Sequence, residues 1–180
     1  MRRRLMIAAL SGVSLTLMGS STPSRGATAF DDAAILNKFA ELATADLGCA
    51  QLAAEKARSA DVRAYAAILV REHTMARQMA RDASMQLKFS FKPDPDNSKK
   101  SEHERVQKEL AQRNDIAFDV LFVRHELEYH KELVQVINKD WIPAAQSADL
   151  QGFLGQVGAA FEAHVATAEQ LSQALGPKKP

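Results

Sequence analysis

Three histidines and one aspartate stand out because each interrupts a row of apolar residues spaced three and four apart: Asp46, His73, His130 and His164. The row through His130, for example, contains Ile116, Val120, Val123, Leu127, Val134 and Ile137. Steps of three and four keep residues on one face of a helix, so these polar side chains are expected to point inward. A buried polar group without a partner destabilises the fold. The pattern therefore predicts either a metal ion or a hydrogen-bond network in the interior.

Imidazole nitrogen and carboxylate oxygen are ligands that proteins use for Zn, Fe and Cu. Glu126 lies about one helical turn before His130 and is a further candidate. A ferritin-type di-iron site would need Glu-x-x-His motifs, but the residues three before the histidines are Val70, Leu127 and Phe161. The predicted ligands of a mononuclear transition-metal site are Asp46, His73, His130, His164 and Glu126. The alternative is a metal-free network in which Asp46 orients one imidazole and the other rings bond to each other or to water.

The two remaining histidines and the single cysteine give weaker signals. His103 has charged neighbours and His125 lies between Arg124 and Glu126, so both are predicted to face solvent. Cys49 falls in an apolar row and is interpreted as a small buried residue that forms no internal disulfide. The sequence contains no nucleophile–base arrangement, phosphate-binding glycine loop or dinucleotide fingerprint. An enzyme is therefore the least supported class of function.

Four amphipathic helices are predicted to position these residues. Composition and break signals place them at residues 32–58, 62–87, 101–139 and 147–176, with a further break signal at 113–115 in the third. Residues 88–101 include Pro93 and Pro95 and form a longer connection between the second and third helices. Pro143 is expected to end the third helix. No stretch alternates with period two, so the prediction is an all-α four-helix bundle.

The heights of the four polar residues in such a bundle follow from the helix rise. Asp46 and His73 lie at nearly equal distances from the break between the first two helices, so they are predicted to share a level. His130 lies near the end of the third helix, whereas His164 lies further from the start of the fourth helix. The two distances differ by roughly 10 Å of axial rise. The sequence leaves open whether residues 141–147 add a turn that restores the level.

The first 29 residues have the pattern of a secretory signal peptide, with a basic start, a short apolar run and the cleavage site Ala27-Thr28-Ala29. We expect export, to the periplasm of a bacterium, and a single soluble domain over residues 30–180. The apolar run is shorter than the roughly 20 residues of a membrane span. The signal segment holds four arginines and no acidic residue, so its removal turns a net charge of +1 into a negative one. An acidic domain without a basic stripe argues against nucleic-acid binding.

The order of these residues along the chain resembles the order found in a known family. The residues that carry the likeness are Asp46 before Leu52-Ala53, the pair Glu72-His73, Phe118-Asp119 before His130, and His164 in the last helix. This order is similar to that of the bacterial exported proteins grouped as domain of unknown function 4142, which are placed with ferritin-like four-helix bundles. The resemblance spans residues 30–175. It implies a ferritin-like fold and a metal site, and it implies no activity.

Three positions depart from the family pattern. The family usually has Glu at the position of Asp46, Asp at that of Glu72, and Asp where this chain has Tyr129. The last difference removes a carboxylate and leaves the histidines intact. Two functions follow. The first is a transition-metal-binding bundle that stores, buffers or senses the metal, or uses it in redox chemistry. The second is a structural or stress-related envelope protein with a metal-free His/Asp network. Convergence of the three ring nitrogens to within about 4–5 Å of each other and of Asp46 would favour the metal.

Overall fold

The computed structural model of the protein describes residues 32–86 and 98–176, and every regular element in these ranges is helical, as predicted. The helices are α1 Asp32–Lys56, α2 Ala60–Gln86, α3 Ser98–Ala111, α4 Ile116–Val136, α5 Ile142–Ala144 and α6 Ala148–Leu175, and a π-helical turn, Ile137–Trp141, joins α4 to α5. None of the described helices is both long enough and apolar enough to cross a membrane. The predicted signal peptide and most of the predicted long connection lie outside the described residues.

The predicted third helix is divided into α3 and α4 by residues 112–115. Asp115 has an extended backbone, and its carboxylate accepts the Ala117 N–H at 3.1 Å. This side chain therefore caps the N-terminus of α4, where the backbone N–H groups have no partner within the helix. The break allows the two segments to pack on different neighbours. α3 lies mainly against α1, whereas α4 lies along α6.

Buried or partly buried aspartates tie the helix starts to distant parts of the chain. The carboxylate of Asp119 in α4 accepts the N–H groups of Arg58 and Ser59, at 2.9 and 2.7 Å, just before α2 begins. The carboxylate of Asp32, at the start of α1, accepts the two N–H groups that precede α6, at 2.7 and 3.0 Å. Each carboxylate satisfies donors that would otherwise be unpaired. These bonds hold the two hairpins together at their ends.

The segment after His130 continues as a helix through Pro143, whereas the sequence predicted that it would end before this proline. Proline has no N–H to donate, and in a regular α-helix its ring clashes with the carbonyl four residues earlier. The Ile142 N–H instead bonds to the Ile137 carbonyl, five residues back. This wider turn accommodates the proline. Trp141 in the turn is buried in the core and holds it in place.

A polar layer separates two apolar clusters inside the bundle formed by the α1–α2 and α4–α6 pairs. One cluster includes Phe39, Leu133, Trp141 and Phe153, and the other includes Ala53, Leu69, Leu110 and Phe122. Each of the four long helices passes from one cluster to the other at polar residues. We call these residues the polar layer: Asp46, His73, Glu126, His130 and His164. The all-α prediction is confirmed, and the layer lies midway along the bundle.

Candidate metal centre

The three predicted histidines converge at the centre of the polar layer. His130 Nε2 lies 3.3 Å from His73 Nε2 and 3.2 Å from His164 Nδ1. One nitrogen from each ring lies within 4.8 Å of the other two, and all three side chains are buried. The question that the sequence left open is thus resolved, because His130 and His164 share a level. The π turn and α5 extend the helical segment that follows His130 before the chain turns back into α6. This extension brings His130 and His164 to the same height.

An outer hydrogen bond selects the tautomer of His130. Its Nδ1 lies 2.9 Å from the backbone carbonyl oxygen of Glu126. Because a carbonyl only accepts, the hydrogen is assigned to Nδ1. Burial, followed by the charge of the His164 ring, holds the pKa of His130 well below its usual value, so the ring is neutral near pH 7. The Nε2 atom of His130, which faces the other two rings, is therefore unprotonated and carries a lone pair.

His164 is oriented in the same way by Glu72, a residue for which the sequence predicted no such role. His164 Nε2 lies 2.8 Å from Glu72 Oε2, and Arg71 donates to the other oxygen at 2.8 Å. Burial alone would raise the pKa of Glu72, but the bonds from His164 and Arg71 outweigh it and lower the pKa. An ionised carboxylate only accepts, so His164 carries its hydrogen on Nε2. Burial keeps the pKa of His164 below its usual value despite Glu72, which leaves Nδ1 as a lone pair.

Two lone pairs therefore face each other across 3.2 Å, on His130 Nε2 and His164 Nδ1. An N–H group of His73 could donate a hydrogen bond to only one of these two nitrogens. The lone pair on the other nitrogen would then still lack a donor. A cation between the rings would bind both lone pairs. In a tetrahedral site with metal–nitrogen distances of about 2.0–2.1 Å, ligand atoms lie about 3.3 Å apart. The observed separations of 3.2 and 3.3 Å match that edge.

Asp46 approaches this group from the side of His73. It is completely buried, and its Oδ2 lies 2.9 Å from His73 Nε2, so the predicted common level of the two residues is confirmed. Burial alone would raise the pKa of Asp46, but the charge of His73 and close contacts with His103 and His73 hold it well below its usual range. Neither carboxylate oxygen receives a well-aligned hydrogen bond from the described residues. A buried carboxylate of this kind is stabilised by a cation.

Glu126 occupies a different position from the other predicted ligands. Its Oε2 lies 3.5 Å from His130 Nδ1, the outer nitrogen that already donates to a backbone carbonyl. Burial, followed by the charge of Asp46, raises the pKa of Glu126 well above its usual value, which favours the neutral carboxyl group. The structure thus brings Asp46, His73, His130 and His164 into one chain of contacts. Glu126 lies behind His130, next to Asp46.

The prediction that His103 and His125 face solvent is wrong. They are 1% and 6% exposed, and their rings meet edge to face with centroids 4.6 Å apart. The signal was present for His103, since Val106 and Leu110 follow it at helical spacing and are buried. For His125 the predicted inner row was misplaced: Ile116 and Val120, on that row, are 55% and 42% exposed. The buried face of this helix instead includes Phe118, Phe122, His125 and Tyr129.

The fold and the site together define an all-α bundle with a buried layer of histidines and carboxylates. The sequence model of the family described as domain of unknown function (DUF4142) matches residues 18–171, so the chain belongs to this family. Comparison with curated proteins and with solved structures gives no significant match. The family description names no activity.

Proposed function

We propose that this protein binds a transition-metal ion through His73, His130 and His164, with Asp46 as the carboxylate ligand. The observation that carries the proposal is the pair of unprotonated nitrogens, His130 Nε2 and His164 Nδ1, that face each other at 3.2 Å. The hydrogen bonds that the outer N–H groups of these rings donate to Glu72 and to a backbone carbonyl hold both rings in this tautomer. Metal-bound histidines are commonly oriented by such partners. The bundle is thus preorganised to hold a cation.

Three imidazoles and one carboxylate favour Zn²⁺, which prefers four tetrahedral N, S or O ligands. Iron and copper are also chemically suited to imidazole. Each of the four ligands comes from a different helix, so the metal would cross-link the bundle. Four protein ligands fill a tetrahedral shell, whereas catalytic zinc sites keep one position open. The site therefore supports holding or buffering a metal over catalysis.

The proposed compartment is outside the cytoplasm, because the first 29 residues have the pattern of a signal peptide. An exported protein with a closed metal site would store or buffer the ion in the bacterial envelope. The competing function is a structural envelope protein whose layer contains no metal. The observation that favours it is the position of Glu126 beside Asp46. Burial, followed by the charge of Asp46, raises the pKa of Glu126 well above its usual value, and a protonated Glu126 would limit the buried charge.

Elemental analysis of the protein purified from its own compartment tests the proposal. We expect at least one equivalent of transition metal per chain, and we expect His164→Ala to lose one equivalent. Glu162→Gln changes an exposed carboxylate two residues away on the same helix and is the matched control. Circular dichroism establishes that each variant is folded. A wild-type protein without stoichiometric metal that also fails to bind added Zn²⁺ would leave the metal-free network as the function of the layer.

A further inference from the structure

Asp46 is shared by a second group of potential ligands outside the site described above. Asp46, His103 and His125 each offer one atom within 4.8 Å of the other two, and all three side chains are buried. They come from α1, α3 and α4, so the group forms where α3 covers the bundle. None of the three contacts was predicted from spacing. Two imidazoles and a carboxylate form a donor set suited to a first-row divalent metal.

The two oxygens of Asp46 point to different histidine groups. Oδ2 lies 2.9 Å from His73 Nε2, and Oδ1 lies 3.3 Å from His103 Nε2. A carboxylate that directs one oxygen to each side is in position to bridge two metal ions. Metal pairs in proteins are typically about 3.5–4 Å apart. This orientation is an independent observation, because the site at His73 requires only one of the oxygens.

The second group also contains a buried polar atom that protein contacts leave unsatisfied. His125 Nε2 is buried and has no hydrogen-bond partner among the described residues. A buried ring nitrogen without a partner is costly. A bound metal would satisfy this nitrogen.

Cys49 lies next to the group, but the structure assigns it a different role. Its thiol donates to the backbone carbonyl of His103 at 3.6 Å. Burial, followed by the charges of Glu126 and Asp46, raises the pKa of the thiol, so it stays protonated. A protonated thiol is a poor metal ligand. Cys49 therefore positions α3 against α1.

We propose that Asp46, His103 and His125 form a second transition-metal position, and that Asp46 bridges it to the position at His73, His130 and His164. The centre is then dinuclear and carboxylate-bridged. The second position has three protein ligands, so a water or another small ligand completes its tetrahedral shell. This position is the more exchangeable of the two. The inference rests on the proposed function only through Asp46.

Equilibrium dialysis of the metal-free protein against Co²⁺ tests the second position. We expect two Co²⁺ per wild-type chain, one for His125→Phe and one for His164→Ala. Phenylalanine keeps an aromatic ring beside Tyr129 and removes the nitrogens, so the packing is largely retained. Glu162→Gln is the control and should bind two. The visible spectrum of the remaining ion should differ between the two single-site variants, because their ligand sets differ.

The outcomes separate the two proposals. In one outcome the wild-type chain binds a single Co²⁺, His164→Ala binds none and His125→Phe still binds one. This result would overturn the second position and leave the proposed function intact. One Co²⁺ that only His125→Phe loses would overturn both the proposed function and the bridge. No binding to the folded wild-type protein would overturn both proposals. Thermal unfolding of His125→Phe and of a second variant, His103→Asn, shows whether each is folded before its stoichiometry is interpreted.

Discussion

The two histidine groups that meet at Asp46 differ in how their rings are held. In the first group, Glu72 and a backbone carbonyl bond to the outer nitrogens of His164 and His130 and so direct lone pairs inward. In the second group, ring packing holds His125 and Tyr129, which stack with an angle of 16° between their planes. His125 Nε2 and the Tyr129 hydroxyl have no hydrogen-bond partner within the described part of the chain. In the second group burial alone brings the rings together, whereas in the first group outer hydrogen bonds also decide which ring nitrogens point a lone pair inward.

The largest effect is expected for Asp46→Asn, because this side chain is common to both groups. The substitution keeps the shape and removes the buried charge that attracts a cation. We expect the affinity for Zn²⁺ to fall by more than about 100-fold at each position, beyond the loss of 10–100-fold typical of outer partners. Competition with a chromophoric chelator measures both affinities. Unchanged affinity at both positions would mean that Asp46 serves only as a partner of His73.

A pH profile of the metal-free protein should separate the groups next. His125 has a folded pKa of about 4, against about 6.5 when unfolded, because it is buried and faces His103; Asp46 and Arg105 also act on it. Below pH 6.5 the unfolded chain binds a proton that folded His125 does not, so stability falls as the pH drops from about 6.5 to about 4. His125→Phe should remove up to about 3 kcal/mol of this loss. Urea unfolding of both proteins with a chelator present measures it, and parallel profiles would contradict the expectation.

Glu72→Gln should weaken only the first group. Glutamine retains the size of the side chain but loses the charge that holds the hydrogen on His164 Nε2. We expect the affinity for Zn²⁺ at that position to fall about 10–100-fold. Binding at Asp46, His103 and His125 should not change. Glu162→Gln, on the exposed face of α6, provides the comparison, and an equal loss at both positions would show that the two groups are not independent.

The smallest effect, a change in the free energy of unfolding, is expected for Tyr129→Phe, whose ring stacks on His125 of the second group. The hydroxyl of Tyr129 is buried and finds no partner among the described side chains. Removing an unsatisfied buried group avoids its desolvation cost, so the free energy of unfolding should rise by about 1 kcal/mol. Chemical denaturation of the metal-free variant measures the change. A destabilised variant would reveal a hydrogen-bond partner for this hydroxyl. The side chains of the second group would then be held by hydrogen bonds, as those of the first group are.

The helical spacing alone predicted much of the first group. Asp46, His73, His130 and His164 each fall on an apolar row, and a period of three and four is a property of the chain that tertiary packing does not alter. The all-α class followed from the same periodicity, and the common level of Asp46 and His73 followed from the short connection between their helices. The order of these residues also identified the family.

Only the tertiary structure decided the rest, because it depends on contacts between segments far apart in the chain. The break at Asp115 turns α3 onto α1, which buries His103 beside Asp46. The π turn before Pro143 sets the height of His130 against His164. Glu72 became a partner of His164 across 92 residues of chain. The inward position of Asp46, His73, His130 and His164 is thus local information, whereas the tautomers of the rings and the sharing of Asp46 arise from packing.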